Sequence, residues 1–168
     1  MVEIAHSVGV AVEGELGKIG GVEDDLKLDE REATFTVPSE AKDFVDRTNI
    51  DMLAIAIGTA HGEYKGEPKL DFERLSQIRE VVDVPLILHG ASGVPDNQIK
   101  ESLQRGISKI NIATELKIPM ASAIKKTFEL NEKETDPRNY MGNAKKAVKE
   151  VVKQKIRLCN GTNFANEL

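Results

Sequence analysis

Four near-continuous apolar stretches punctuate the chain: Val8–Leu16, Leu53–Gly58, Pro85–Gly90 and Ile107–Thr114. Each ends in small or polar residues, and their unbroken apolar character predicts strands of a parallel sheet covered on both faces by helices. Amphipathic segments fill the intervals. Pro38–Thr48 carries Ala41, Phe44 and Val45 at helical spacing, with Ser39 as the expected N-cap. Asp71 is the expected cap of a helix that turns Phe72, Leu75, Ile78 and Val82 inward. Pro95–Arg105 aligns Ile99 with Leu103 and stops before Gly106, a favourable residue just past a helix end. Glu115–Leu130 repeats Leu116, Met120, Ile124 and Phe128 four residues apart, with Pro119 in its first turns, where a missing N–H does little harm. A polar connection, Asn131–Asn139, precedes a last helix over Tyr140–Leu158 striped by Ala144, Ala147, Val148, Val151 and Val152. Lys18–Val37, rich in Gly and Asp, is expected to be the longest structureless region, and such loops are usually functional. The opening Met1–Gly9 reads as the tail of a helix, since Val2, Ala5 and His6 share a face.

Strand-then-helix units with short links specify an α/β fold with right-handed crossovers. Four strands are half of what a closed (β/α)8 barrel requires. The expectation is therefore the C-terminal half of a TIM barrel, about four β/α units plus a C-terminal helix. As a single partial domain over 1–168, it divides into an entering helix tail (1–8), the β/α units (9–130) and the connection, last helix and tail (131–168). Composition narrows the function. The chain has 168 residues and a net charge of −5, without the clustered Lys and Arg of a nucleic-acid surface. No apolar run reaches the roughly 20 residues of a membrane span, and there is no signal-peptide pattern. The single cysteine, Cys159, cannot pair internally and suits a reducing, cytoplasmic setting.

In parallel α/β folds ligands bind at the carboxyl ends of the strands. The expected ends here carry Glu13-Gly14-Glu15, then Gly58 to Gly62 with His61, then His89 to Gly93, then Asn111 to Thr114. Two histidines and two carboxylates thus meet on one rim, and zinc accepts both donor types. A lone histidine reads more simply as a satisfied core or surface residue. His61 and His89 share a strand-end position and are each followed by Gly, which puts a metal site on equal footing with that plainer reading. His6 lies away from the strand ends and is expected to have no site role. Gly90, Ala91, Ser92, Gly93 and Asn111–Thr114 each join a strand to a helix. Free backbone N–H groups, hydroxyls and a helix N-terminus there compose a phosphate cradle, or simply an ordinary capped turn. Glu23, Asp24 and Asp25 read as a solvated loop face.

Taken in order, VEGELGKIGGVEDD, AIAIGTAHGEYKGEPKLDFERL, VPLILHGASGVPD, KINIATELK and TDPRNYM resemble the class II, zinc-dependent ketose-bisphosphate aldolases over essentially the whole chain. GASGVPD followed by INIATELKI, and the ending around EVVKQKI, resemble the tagatose-1,6-bisphosphate aldolase branch. The resemblance implies a TIM barrel that reversibly cleaves a ketose bisphosphate to dihydroxyacetone phosphate and glyceraldehyde 3-phosphate, with Zn2+ as the Lewis acid. It implies that His61 and His89 are two of three zinc ligands, and that Glu15 belongs to a second, divalent or monovalent cation position. It further implies that Gly62, Gly90, Ala91, Ser92, Asn111, Ile112, Ala113 and Thr114 hold the dihydroxyacetone phosphate end, while Arg138 reaches the far phosphate. Such an arginine grips phosphate oxygens through its planar fork.

The family's Asp-His pair, with its proton-transferring aspartate and third zinc histidine, belongs to the first half of the barrel and is not found here. The catalytic acid–base residue is accordingly unassigned. The expected partners are a small phosphosugar and either further copies of the chain or a missing N-terminal half, with neither nucleic acid nor membrane. A fructose-1,6-bisphosphate aldolase of the same class and a non-catalytic phosphosugar-binding remnant are the alternative readings.

Overall fold

The computed structural model describes residues 1–18, 20–23, 26–28, 35–64 and 66–162, with 20–23 and 26–28 described as backbone. They form two compact units, Met1–Asn111 and Ile112–Leu168.

The first unit runs α1 (Val2–Ser7), β1 (Glu13–Leu16), β2 (Gly20–Glu23), β3 (Leu26–Leu28), α2 (Pro38–Thr48), β4 (Met52–Ile55), β5 (Ala60–His61), α3 (Phe72–Val81), β6 (Leu86–Leu88), α4 (Asp96–Gln104) and β7 (Ile107–Ile110). Four strands make one sheet in the order β1-β4-β6-β7, and every neighbouring pair is parallel. Spatial order follows chain order, with α2, α3 and α4 as the crossovers, the singly wound pattern of a β/α barrel wall. The core sits where the apolar pattern put it. Leu53 and Ile55 of β4, Leu86, Ile87 and Leu88 of β6, Leu75 and Ile78 of α3 and Ile99 of α4 are all fully buried. Successive residues of β6 are covered on both faces, as a central parallel strand requires.

Three expectations fail locally, each for a physical reason. The first strand starts at Glu13, not Val8. The amides of Gly9 and Val10 return to the carbonyls of His6 and Ala5, a helix-ending turn that leaves Val8 and Val10 exposed. The cap of α2 is Val37, not Ser39, because Pro38 takes the first helical position, where its fixed φ fits. The region Lys18–Val37 is not structureless. It contains β2 and β3, which join β5 in a second sheet ordered β3-β2-β5. β2 pairs parallel with β5 through Gly20↔Ala60 and Gly21↔His61, a partner some 40 residues away that a local pattern does not reveal. Asp24 and Asp25 lie outside the described residues. Asp71 caps α3 as expected, accepting the Arg74 N–H at 2.9 Å. His6 stays away from the strand ends, its Nε2 2.9 Å from Asp51.

The second unit pairs α5 (Thr114–Leu130) with α6 (Pro137–Leu158). α6 starts before the expected Tyr140, because Asp136 caps it through the Arg138 N–H at 2.9 Å and Pro137 opens it. The α5 stripe of Leu116, Met120 and Ile124 is half-buried and Phe128 more exposed, its ring 5.3 Å from that of Tyr140. Lys155, nearly buried, reaches Glu115 at 2.9 Å. No described helix is long and apolar enough to cross a membrane.

Candidate active site

β1 places Glu13 and Glu15 two residues apart and so on one face of the sheet. His89 follows directly on β6, and both of its ring nitrogens meet those carboxylates. Nε2 lies 2.7 Å from Glu13 Oε1, and Nδ1 lies 2.7 Å from Glu15 Oε2. The second oxygen of Glu13 accepts from Lys109 Nζ on β7 at 2.6 Å. Glu13 and Lys109 sit on the two outer strands, with β4 and β6 between them. On a flat sheet three strand spacings would hold those backbones about 14 Å apart. Their contact therefore marks this face as concave, like the inner wall of a barrel.

The charges settle one another. Hydrogen bonding to Glu15, opposed by partial burial and reinforced by Glu13, raises the pKa of His89 above its usual value. Partial burial works to raise the pKa of Glu13, but the bonds from Lys109 and His89 outweigh it and hold the carboxyl below its usual range. The cluster is thus a chain of paired basic and acidic side chains, Lys109–Glu13–His89–Glu15.

His61 comes from β5 of the second sheet rather than from the end of β4, and its ring lies 6.2 Å from that of His89, edge to face. Gly62 faces open space, with nothing within 4 Å of the position a Cβ would take. Gly90 has φ +63, and a Cβ there would stand 2.6 Å from the Ala60 carbonyl oxygen, so the loops after β5 and β6 touch through their backbones. Ala91 and Ser92 are buried. The Ala91 N–H, expected to be free for a phosphate, donates to the Asn111 carbonyl at 3.1 Å, which stitches the loop after β6 to the end of β7. Ile112, Ala113 and Thr114 begin the second unit, where the Ala113 carbonyl accepts the N–H groups of Leu116 and Lys117 and Thr114 is the first residue of α5. Arg138 is exposed and its guanidinium closes on Asp136, with Nε at 3.0 Å and Nη2 at 2.6 Å.

Glu15, His61 and His89 are therefore brought together. Lys109, which no motif singled out, joins them, and Tyr64 ties their loops. The signal for Lys109 was its place two residues before Asn111, on the same face of an edge strand. The described residues do not by themselves complete a zinc site. Among the described residues no three His, Cys, Asp or Glu side chains are arranged to hold a metal ion, and His89 gives both nitrogens to carboxylates. The usual catalytic count is three protein ligands.

Parallel strands wound in chain order, with helices between them and ionisable groups gathered where the strands end, define a partial β/α-barrel wall with a candidate site on its rim. Residues 1–163 match the family model described as fructose-bisphosphate aldolase class-II, and the chain belongs to that family. It is 38% identical to the YdjI aldolase of Escherichia coli K12, with a TM-score of 0.76 over 98% of this chain and 55% of that one. A putative fructose-1,6-bisphosphate aldolase from Coccidioides immitis is 28% identical, with a TM-score of 0.83 over 99% of this chain and 58% of that one. The fold is shared as well by fructose-bisphosphate aldolase from Campylobacter jejuni, at 20% identity and a TM-score of 0.73 over 95% and 54% of the two chains. The chain spans little more than half the length of these structures.

Proposed function

We propose that this chain forms the substrate-binding half of a class II aldolase that reversibly cleaves tagatose 1,6-bisphosphate to dihydroxyacetone phosphate and glyceraldehyde 3-phosphate. The observation that carries the reading is the meeting of His89, Glu13 and Glu15 on one strand-end face, with the His61 ring 6.2 Å from that of His89, in a chain of this family. The choice of tagatose over fructose bisphosphate rests on GASGVPD and INIATELKI, which resemble that branch. In this reading His61 and His89 are two zinc ligands and Glu15 serves a second cation. Gly62, Gly90, Ala91, Ser92 and Asn111–Thr114 take the dihydroxyacetone phosphate end, and Arg138 takes the far phosphate. In this reading the third zinc ligand and the proton-transferring carboxylate are not assigned among these residues.

A second reading, phosphosugar binding without turnover, is favoured by the carboxylates on both nitrogens of His89.

The test is release of dihydroxyacetone phosphate from tagatose 1,6-bisphosphate and from fructose 1,6-bisphosphate, with zinc and then with chelator, beside a full-barrel control. Chelator-sensitive cleavage that prefers the tagatose sugar and disappears in His61→Ala and His89→Ala supports the aldolase. Cleavage retained in both variants overturns it. Binding of dihydroxyacetone phosphate without turnover, beside an active control, establishes the second reading.

A further inference from the structure

We infer that Tyr64 is a positioning residue whose hydroxyl locks the loop bearing His61 to the loop bearing His89. Two hydrogen bonds converge on that one oxygen. It accepts the Ala60 N–H at 2.8 Å and donates to the Gly90 carbonyl at 2.7 Å. Ala60 is the residue before His61, and Gly90 is the residue after His89. The phenol therefore bridges the immediate neighbours of the two histidines.

The same two segments also approach through their backbones at Gly90 and Ala60, and the Tyr64 hydroxyl adds hydrogen bonds to that approach. β6 lies in the middle of the main sheet, between β4 and β7, so His89 starts from a rigid strand. β5 is only two residues long, and its ladder to β2 has two registered pairs. A strand of that length holds its own position weakly. The ring of Tyr64 is seated by Gly93, where an added Cβ would come within 3.2 Å of it. Burial also raises the phenol's pKa, which keeps the proton on the oxygen and the donor function intact. Tyr64 stands inside the motif AIAIGTAHGEYKGEPKLDFERL, which by itself assigns it no role. Only the fold places it against Gly90, 26 residues on.

The inference rests on the reading of this rim as the phosphosugar site, and the test separates the two. In Tyr64→Phe, the Ala60 amide is expected to exchange with solvent about tenfold faster or more, as expected when a hydrogen bond on a partly buried amide is lost. The nuclear Overhauser contact between the rings of His61 and His89 is expected to weaken, and affinity for dihydroxyacetone phosphate to fall about tenfold. Ile99→Val, which trims the core on α4, serves as a stability control. It should lower the unfolding midpoint while leaving the Ala60 exchange, the ring contact and the affinity alone. Gly93→Ala crowds the ring without removing the hydroxyl and provides a second variant, expected to speed Ala60 exchange in the same way. Unchanged Ala60 exchange and an unchanged ring contact in Tyr64→Phe would overturn the assignment. If the unmodified chain fails to bind dihydroxyacetone phosphate, the phosphosugar reading falls, and the exchange and ring-contact measurements still decide the role of Tyr64.

Discussion

Replacing Gly90 by alanine isolates the close approach on which the rim depends. At φ +63 an L side chain carries a left-handed penalty of about 1–2 kcal/mol. The new Cβ would also stand 2.6 Å from the Ala60 oxygen and 2.8 Å from its carbonyl carbon. Those are backbone atoms and cannot rotate aside, so one loop must shift, a crowding that costs about 1–3 kcal/mol. Stiffening of the unfolded chain returns about 0.4–1 kcal/mol. The net expectation is a loss of roughly 1–5 kcal/mol. Gly62→Ala is the internal control, since Gly62 also has a positive φ, +96, but nothing within 4 Å of the added atom. Its loss should stay near 1 kcal/mol, the backbone penalty alone. Urea unfolding followed by far-ultraviolet circular dichroism measures both, with an unchanged m-value as the condition for comparing midpoints. Equal losses in the two variants, or a loss below about 0.5 kcal/mol in Gly90→Ala, would refute the contact between the loops.

Three further outcomes follow from the packing and the charges. In zinc-free protein, the stabilisation from His89 is complete below its usual pKa of 6.5 and is lost as pH rises through the raised folded value. That from Glu13 is present above 4.5 and is lost as pH falls through the lowered one. The cluster therefore contributes most between those usual values, and His89→Ala should flatten the alkaline side of a plot of urea midpoint against pH. Ile87→Ala empties a fully buried site in the central strand and should cost about 2–5 kcal/mol, read from the same unfolding curves. Lys155→Met keeps the stem but removes the charge facing Glu115, and should destabilise the α5–α6 unit by about 1–3 kcal/mol in thermal unfolding. This is below the cost for a fully buried pair because Glu115 retains contact with water.

What was legible in the sequence was whatever depends on local periodicity. α2 over Pro38–Thr48, the Asp71 cap and the buried runs of β4 and β6 are properties of ten or so neighbouring residues. The β3-β2-β5 sheet was illegible because its defining contact, Gly20 with Ala60, is set by tertiary pairing. At the site, residue types and strand-end positions picked out Glu13, Glu15, His61 and His89, which the fold brings near one another. What they did not reveal was who would answer whom. That both nitrogens of His89 face carboxylates, and that Lys109 leans across two strands to Glu13, follow from curvature that no linear pattern encodes. The same holds for Ala91, whose amide looked available until the end of β7 claimed it.

Arg138 is already engaged within its own helix turn. Its fork already grips a planar, doubly oxygenated anion, the Asp136 carboxylate that also caps α6. An incoming phosphate would have to evict an occupant that uses the same geometry. Because the guanidinium is exposed to water, the occupant is loosely held. If Arg138 takes the far phosphate, as proposed above, that phosphate competes with Asp136 for the fork, and Asp136 still holds the end of α6 when the arginine is drawn away.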